Sequence, residues 1–496
     1  MKLNLKNTSL LVVLLLFLIS CGKDYLDVHP TEVLTQEQIA EASEHNPGIV
    51  AGSMSGIYTL MFQEATGGSD SDDPDHDDFG QKGYDIYTDL LSGDMALAVN
   101  TYDWYKPLTE FQPTTDYTFN DNYFPWRYYY RIIRSANNVI DFLGGTDITP
   151  ELDENKFLMG QAKAIRAHSY FYLTQLFSNS YNPANEILPI YKSALDQNGP
   201  KATTEEVFNF IQSDLNEAIV LLNGFARTGK HQIDQDVAKG ILAYVYAAMG
   251  KNTEAMLLSD EIIDSGRFPL TTEEETLGGF NDVNTPSWMW GVDITLDNGL
   301  DLISWWGQMD IFTYSYAWAG DRKAIDLDLY NAIPDNDVRK QQFFPNSGSV
   351  YYLQPFNKFY DPDRILGGQR NIETDYIYMR VDEMYLLNAE TAAKSGDETK
   401  ARERLKNLLE LRIPDNSYVD GLSGSSLLQE IQLQSRIELW GEGKSYLAMK
   451  RNQRSVLRGA NHLSFVGVSI PYDDERLTFE IPRAEIDNNP FINTQN

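Results

Sequence analysis

The residues of this chain best suited to chemistry are aromatic. Five of its eight tryptophans, Trp288, Trp290, Trp305, Trp306 and Trp318, fall between positions 288 and 318. An indole or phenol ring has an electron-rich face on which the C–H-rich face of a sugar ring can stack, while neighbouring amides and carboxylates fix its hydroxyls. In NTYDWYKP, Tyr102 and Trp104 are candidate stacking groups with Asn100 as a polar partner. Trp305 and Trp306 are adjacent in ISWWGQ and should point apart, which leaves at least one of them for a ligand. Trp318 precedes Ala319-Gly320 at the end of a strand-like pattern. Ordinary packing is the competing reading for each of these residues. Trp288 and Trp290 share a strand face with aliphatic residues and read as core, and Trp126 and Trp440 read as helical scaffold.

Other chemistries find fewer groups. The six histidines are scattered, without the paired spacing of a metalloprotease helix. GSMSG at 52–56 lacks a nucleophile because Met54 stands between the glycines. No phosphate-binding glycine motif is present. The expectation is a protein that is not an enzyme and needs no cofactor. SDSDDPDHDDFG is the one metal candidate: Asp73, Asp75 and Asp77 have the first spacings of an EF-hand loop. Asp78 stands where that loop needs glycine, and Tyr84 where it needs a bidentate glutamate, so an EF-hand is excluded. A looser Ca²⁺ site and a solvated acidic loop remain the two readings.

The only cysteine, Cys21, follows the apolar run Leu10–Ile19, itself preceded by Lys2 and Lys6. Ten helical residues rise about 15 Å, half of a ~30 Å hydrocarbon core, which suits a secretory signal rather than a membrane span. Leu18-Ile19-Ser20-Cys21 resembles a bacterial lipobox. Residues 1–20 are therefore expected to be a lipoprotein signal peptide and Cys21 a lipid anchor, the protein's only hold on the membrane. Gly22-Lys23-Asp24 resembles the signal that carries some such lipoproteins to the outer face of the outer membrane. A net charge of −32 disfavours nucleic acid, and polyanionic ligands too unless calcium or a local basic patch intervenes.

These groups need a scaffold, and the sequence is dominated by helical periodicity. GQAKAIRAHSYFYLTQLF, YYYRIIRSANNVIDFLGG and TTEEVFNFIQSDLNEAIVLLNG each read as a helix, the last with Thr203 and Glu206 as a capping box. Two segments, at 237–266 and 381–410, share a helix ending in glycine (Gly250, Gly396), a following N-cap candidate (Asn252, Asp397) and an alanine in the second helix (Ala255, Ala401). That is the punctuation of tetratricopeptide-like pairs. PSWMWGVDITLDN and DIFTYSYAW alternate with period two and predict half-buried strands. The expected fold class is mostly α: a tetratricopeptide-like scaffold with an irregular, loop-rich subdomain containing short strands. Without a linker, residues 21–496 are expected to form one unit, with an N-terminal helical part (21–266), an aromatic-rich subdomain (267–375) and a C-terminal helical pair and tail (376–496).

Four ordered blocks resemble SusD-like (RagB/SusD) outer-membrane nutrient-binding lipoproteins. They are RIIRSANNVIDFL with AKAIRAHSYFYLTQLFSN; YIYMRVDEMYLLNAETAAKSGD, with Arg380, Asp382, Tyr385, Leu386, Ala389 and Glu390; QSRIELWGEGKSYLAMKR, with Arg436, Glu438, Leu439, Glu442 and Gly443; and EIPRAEIDNNP, with Ile481, Pro482, Glu485, Ile486, Asn489 and Pro490. The mature start CGKDYLDVHPTE has the same look. Lys444-Ser445-Tyr446-Leu447-Ala448 departs from the aromatic-Asp-Leu common in the family at that place. The resemblance implies a protein without catalysis that captures an oligosaccharide at the cell surface and delivers it to a SusC-like TonB-dependent transporter. Capture of peptide or another nutrient on the same scaffold, or a lid with little affinity of its own, are the alternatives.

Overall fold

The computed structural model describes residues 47–496. Cys21, the expected signal peptide, the CGKDYLDVHPTE stretch and two histidines, His29 and His45, lie outside those residues. The described chain is mostly helical. Its strands are few and short, and they pair only as two-stranded antiparallel ribbons. None of its helices is long and apolar enough to cross a membrane.

The N-terminal layers are α1 (Pro47–Leu60), α2 (Gln81–Ser92), β1 (Met95–Val99), α3 (Asn120–Phe142), α4 (Asp153–Phe177) and α5 (Thr204–Leu221). The three-and-four spacing of Ala162, Ile165, Ser169, Tyr172 and Leu176 in GQAKAIRAHSYFYLTQLF predicts one buried face. Instead, every residue of α4 from Met159 to Phe177 is buried, because α3 and α5 cover it on two sides and α1 on a third. Its buried arginine is therefore paired internally. Arg166 forks onto Asp214 (2.7 and 2.8 Å) and also donates to Asn137 and Thr146. His168 packs against Tyr172 and Trp290, and burial lowers its pKa to about 3. The capping box of α5 forms as expected, with Thr203 Oγ accepting from Glu206 N–H and the Glu206 carboxylate accepting from Thr203 N–H.

The two predicted pairs are α6 (Gln235–Ala248) with α7 (Asn252–Asp264), and α8 (Val381–Lys394) with α9 (Glu398–Leu409). Gly250 and Gly396 end the first helices with positive φ, and Ala255 and Ala401 are wholly buried where the partners meet. Asp397 caps α9 through Lys400 N–H, whereas Asn252 is already the first residue of α7 and Lys251 takes the cap position. Asn388 of α8 stitches the pairs together by donating to Met256 O, Ser259 Oγ and Asp260 Oδ1 of α7.

Strands β2 (Trp288–Val292), β3 (Arg322–Ile325) and β4 (Tyr376–Arg380) follow, with β1 pairing β3 and β2 pairing β4. β2 is covered on both faces, not half-buried: Met289 and Gly291 are as inaccessible as Trp288 and Trp290. DIFTYSYAW is not a strand. It bends and then closes a short helical turn, Tyr316–Ala319, because the Ser315 hydroxyl caps Trp318 N–H and no neighbouring strand is available. One hydrophobic cluster extends from Val50 to Ile492, and a smaller one lies beneath α8, α9 and α10 (Gly424–Glu438).

The sequence blocks around Arg380 and Glu438 converge on a buried charge network. Arg380 grips Glu442 through two nitrogens (2.9 Å each) and Glu438 through a third (2.9 Å). Arg412 forks onto Glu438 and reaches Asp382 at 2.9 Å. Arg339 joins Asp337 to Glu438, and Lys358 binds Glu442 at 2.8 Å. Four cations meet four carboxylates, and no member has a side chain more than 2% exposed. Burial alone would raise the Glu442 pKa, but Arg380 and Lys358 outweigh it and hold the group at about 2.

Removing one member strands the rest in a dry interior, a cost of about 3–5 kcal/mol. Glu438→Gln is expected to lower unfolding free energy by that amount in urea titrations. Because Glu442 is depressed below its ordinary value, its contribution is present above pH 4.5 and is lost as pH falls toward about 2. Acid titration of stability by circular dichroism checks this, and Glu442→Gln should flatten that limb.

Candidate ligand-binding site

Three loops meet at the surface beside the β1–β3 ribbon. The first, 100–105, is wound around one carboxylate. Asp321, just before β3, accepts the backbone N–H groups of Thr101 (2.6 Å), Tyr102 (2.8 Å) and Trp104 (3.3 Å). Asp103 and Tyr105 are forced to positive φ by this turn. Asn100 is engaged inside the loop, exchanging hydrogen bonds with Asp103 side chain (2.7 Å) and backbone (3.2 Å). These bonds shape the turn and engage the amide that the sequence offers as a polar partner for a ligand.

The winding presents Tyr102, 51% exposed, and Trp104, half-buried. Beneath Trp104 lies His76, stacked at 4.8 Å with rings 6° apart. His76 also meets Tyr316 Oη through Nδ1 at 2.6 Å, and its carbonyl accepts from Gln308 at 2.7 Å. Burial lowers the His76 pKa, which keeps the imidazole an uncharged platform for the indole. Tyr316 sets its edge against His76, Trp104 and Tyr102 together.

The third loop extends the aromatic surface. Tyr314, 40% exposed, and the half-buried Trp318 lie 5.7 Å apart on either side of Tyr316 in sequence. The Arg370 guanidinium lies over Tyr314 and pairs with Asp301 at 2.8 Å, both groups open to solvent. Gly367, at φ +60°, lies so close beneath Trp318 that a Cβ there would collide with the indole. Asp310 holds the base of this loop, accepting from Phe312 N–H (2.9 Å) and Asp361 N–H (3.0 Å). Tyr102, Trp104, Tyr314 and Trp318 thus form an open ledge, with Asp301 and Arg370 at its edge.

Trp305 and Trp306 are not part of it. Both are fully buried, against the expectation that one would face outward. Trp305 lies between Phe359 and the Lys82 ammonium of α2, 4.1 Å from its ring, and Trp306 donates its indole N–H to Thr374 O. The carboxylates of the acidic loop are placed differently from one another. Asp73 is exposed, Asp77 is buried with Tyr87 O–H donated to it, and Asp78 binds the N–H groups of Gly67 and Ser69. Among the described residues no group of three or more His, Cys, Asp or Glu side chains is placed to hold a metal ion. Sequence reasoning missed His76, which stood within the supposed metal loop, and it missed Tyr314, Tyr316 and Arg370 as site residues.

Comparison with known proteins bears on what such a ledge serves. A family profile described as "Starch-binding associating with outer membrane" matches residues 80–246, and the SusD family profile matches 311–496. The chain belongs to the SusD-like family. The fold is that of solved family structures. It is similar to a SusD-like carbohydrate binding protein of Bacteroides vulgatus, at 24% identity and TM-score 0.74, covering 90% of this chain and 97% of that one. A SusD superfamily protein of Bacteroides thetaiotaomicron aligns at 23% identity and TM-score 0.74, over 90% and 98% of the two chains. The surface glycan-binding protein A of Bacteroides thetaiotaomicron, solved in complex with laminarihexaose, aligns at 15% identity and TM-score 0.68, again over 90% and 98%. No curated protein matches. The helical scaffold of this SusD-like chain carries its aromatic ledge on both matched segments, Tyr102 and Trp104 in the first and Tyr314 and Trp318 in the second.

Two outcomes follow for stability. Trp305→Ala should cost about 3–5 kcal/mol in chemical denaturation, as a buried aromatic truncation does, while Trp318→Ala and Tyr102→Ala should each stay within about 1 kcal/mol. Burial raises Asp310 to about 7, against its two N–H partners. The native state then holds a proton that the unfolded chain releases, so stability falls as pH rises from the unfolded value of 3.8 through about 7. Asp310→Asn should remove that slope in thermal melts across the interval.

Proposed function

We propose that this protein captures oligosaccharide on the Tyr102–Trp104–Tyr314–Trp318 ledge, as a cell-surface lipoprotein anchored through Cys21. It does no chemistry on its ligand and passes it to a SusC-like TonB-dependent transporter. The observation that carries the reading is a group of four accessible rings, Tyr102 and Trp104 packed on the buried Tyr316 and half-buried His76, and Tyr314 against Trp318 on the adjoining loop. Flat aromatic faces exclude water from the apolar side of a pyranose, and Arg370 and Asp301 stand where hydroxyls would be. The open shape suits an extended chain more than a small enclosed metabolite. The family membership supports both capture and outer-membrane association, and a relative of the same fold holds laminarihexaose.

Calorimetric titration of a soluble chain starting after Cys21 against laminarihexaose, maltohexaose and other neutral oligosaccharides tests this. At least one should bind, without being cleaved, and Trp104→Ala or Trp318→Ala should weaken it at least about tenfold, or ~1.4 kcal/mol. Trp305→Ala, chosen as a folded-state control, should act through stability and not through affinity of the folded fraction. Silence across the panel with a folded protein, or binding indifferent to both ledge tryptophans, would contradict the proposal.

A further inference from the structure

A second concavity, separate from the ledge, is built along α3. It is a groove of about 1060 Å³ between that helix, the 63–71 loop and the 191–198 segment. Arg127, Arg131 and Arg134 line it, all three exposed. Their spacing of four and three residues puts them on one helix face, rising about 6 and 4.5 Å along the axis. Among the described residues none of the three has an ion-pair or hydrogen-bond partner, although this chain fills its interior with paired arginines such as Arg166, Arg380 and Arg412. Like charges at this spacing repel each other in the helix. In a chain of net charge −32, a row of three exposed guanidinium groups without a paired carboxylate is a local concentration of positive charge.

The groove walls are held in shape. Asp78 binds the N–H groups of Gly67 and Ser69, fixing one side, and Arg127 lies directly across Gly68. Asp141 accepts from Ala194 N–H and Ser193 Oγ, fixing the other. Three carboxylates also line the groove, but among the described residues none is ion-paired with the arginines. Asp196 takes the N–H groups of Lys192 and Ser193, Glu485 takes the Trp126 indole and Asn489, and Glu64 forms no ion pair with the row. The half-buried rings of Tyr123, Tyr130 and Tyr191 complete the lining.

We infer that this groove binds an oligosaccharide bearing carboxylate or sulfate groups. Guanidinium forks match those anions bidentately, and the tyrosine faces suit the sugar rings between them. The axial spacing of the arginines is close to the length of one sugar, so successive acidic units can each meet a cation. The groove's volume is that of a short chain rather than of a single ion. The inference stands apart from the ledge, because it rests on different residues.

The test titrates the soluble chain with tetragalacturonate and with a heparin tetrasaccharide, beside neutral laminarihexaose. At least one acidic probe should bind, with affinity that falls as salt is raised. Arg131→Gln with Arg134→Gln should weaken it at least tenfold, leaving the melting temperature and any laminarihexaose binding unchanged. Trp104→Ala should leave the acidic probe's affinity intact. No binding of either acidic probe, binding indifferent to the arginine pair, or binding lost with Trp104→Ala would overturn the inference. So would sedimentation with phosphatidylglycerol vesicles in the absence of acidic-sugar binding, which would assign the row to lipid phosphates.

Discussion

The structure depends on a neutral set of eight charges sealed from water around Arg380, Glu438 and Glu442. Each ion there has lost its hydration, and only the reciprocal forks restore it, so the set tolerates no missing member. Its members come from six separate places in the chain: Asp337 and Arg339, Lys358, Arg380 and Asp382, Arg412, Glu438, and Glu442. Forming it fixes the end of α10 against the start of α8 and locks β4, which lies beside β2. It also governs the ligand surface. Lys358 is anchored in the network, the next residue Phe359 packs on Trp305, Asp361 is held by Asp310, and Gly367 lies beneath Trp318. A continuous path of packed groups thus runs from the charge network to the ledge.

The acidic composition acquires a structural meaning from the same logic. Many of the 72 acidic residues are not surface charges but acceptors around which loops are wound. Asp321 gathers three backbone N–H groups of the 100–105 loop, Asp78 shapes the 67–69 turn, and Asp375 accepts from Val283 and Ile294. A loop-rich face with little regular hydrogen bonding needs such acceptors, because buried N–H groups left unpaired are costly. The result is irregular backbone held firmly enough to present aromatic rings in a fixed arrangement.

What could be read from sequence follows the range of the interactions. The helices, the capping box at Thr203 and the paired helices ending at Gly250 and Gly396 are set by residues a few positions apart, and were legible. The block residues Arg380, Asp382, Glu438 and Glu442 were recognisable as family features, but nothing local says that they meet. Trp305 misled because its cover, Lys82, comes from a helix more than two hundred residues earlier. His76 was hidden by its neighbours: an acidic run suggests a cation, whereas the operative contact is an imidazole under an indole. DIFTYSYAW alternates like a strand, yet alternation has no consequence without a partner to pair with, and Ser315 closes a turn instead. Tyr102, Trp104 and Trp318 keep part of their rings accessible, whereas Trp306 is wholly buried.

The most direct measurement of the central claim is oxidative footprinting of the tryptophans by mass spectrometry, with and without a bound neutral oligosaccharide. The account predicts that Trp104 and Trp318 react in the free protein and are protected by the ligand, while Trp305 and Trp306 stay unreactive in both states. Protection confined to other residues, or a bound oligosaccharide that leaves Trp104 and Trp318 as reactive as before, would contradict it.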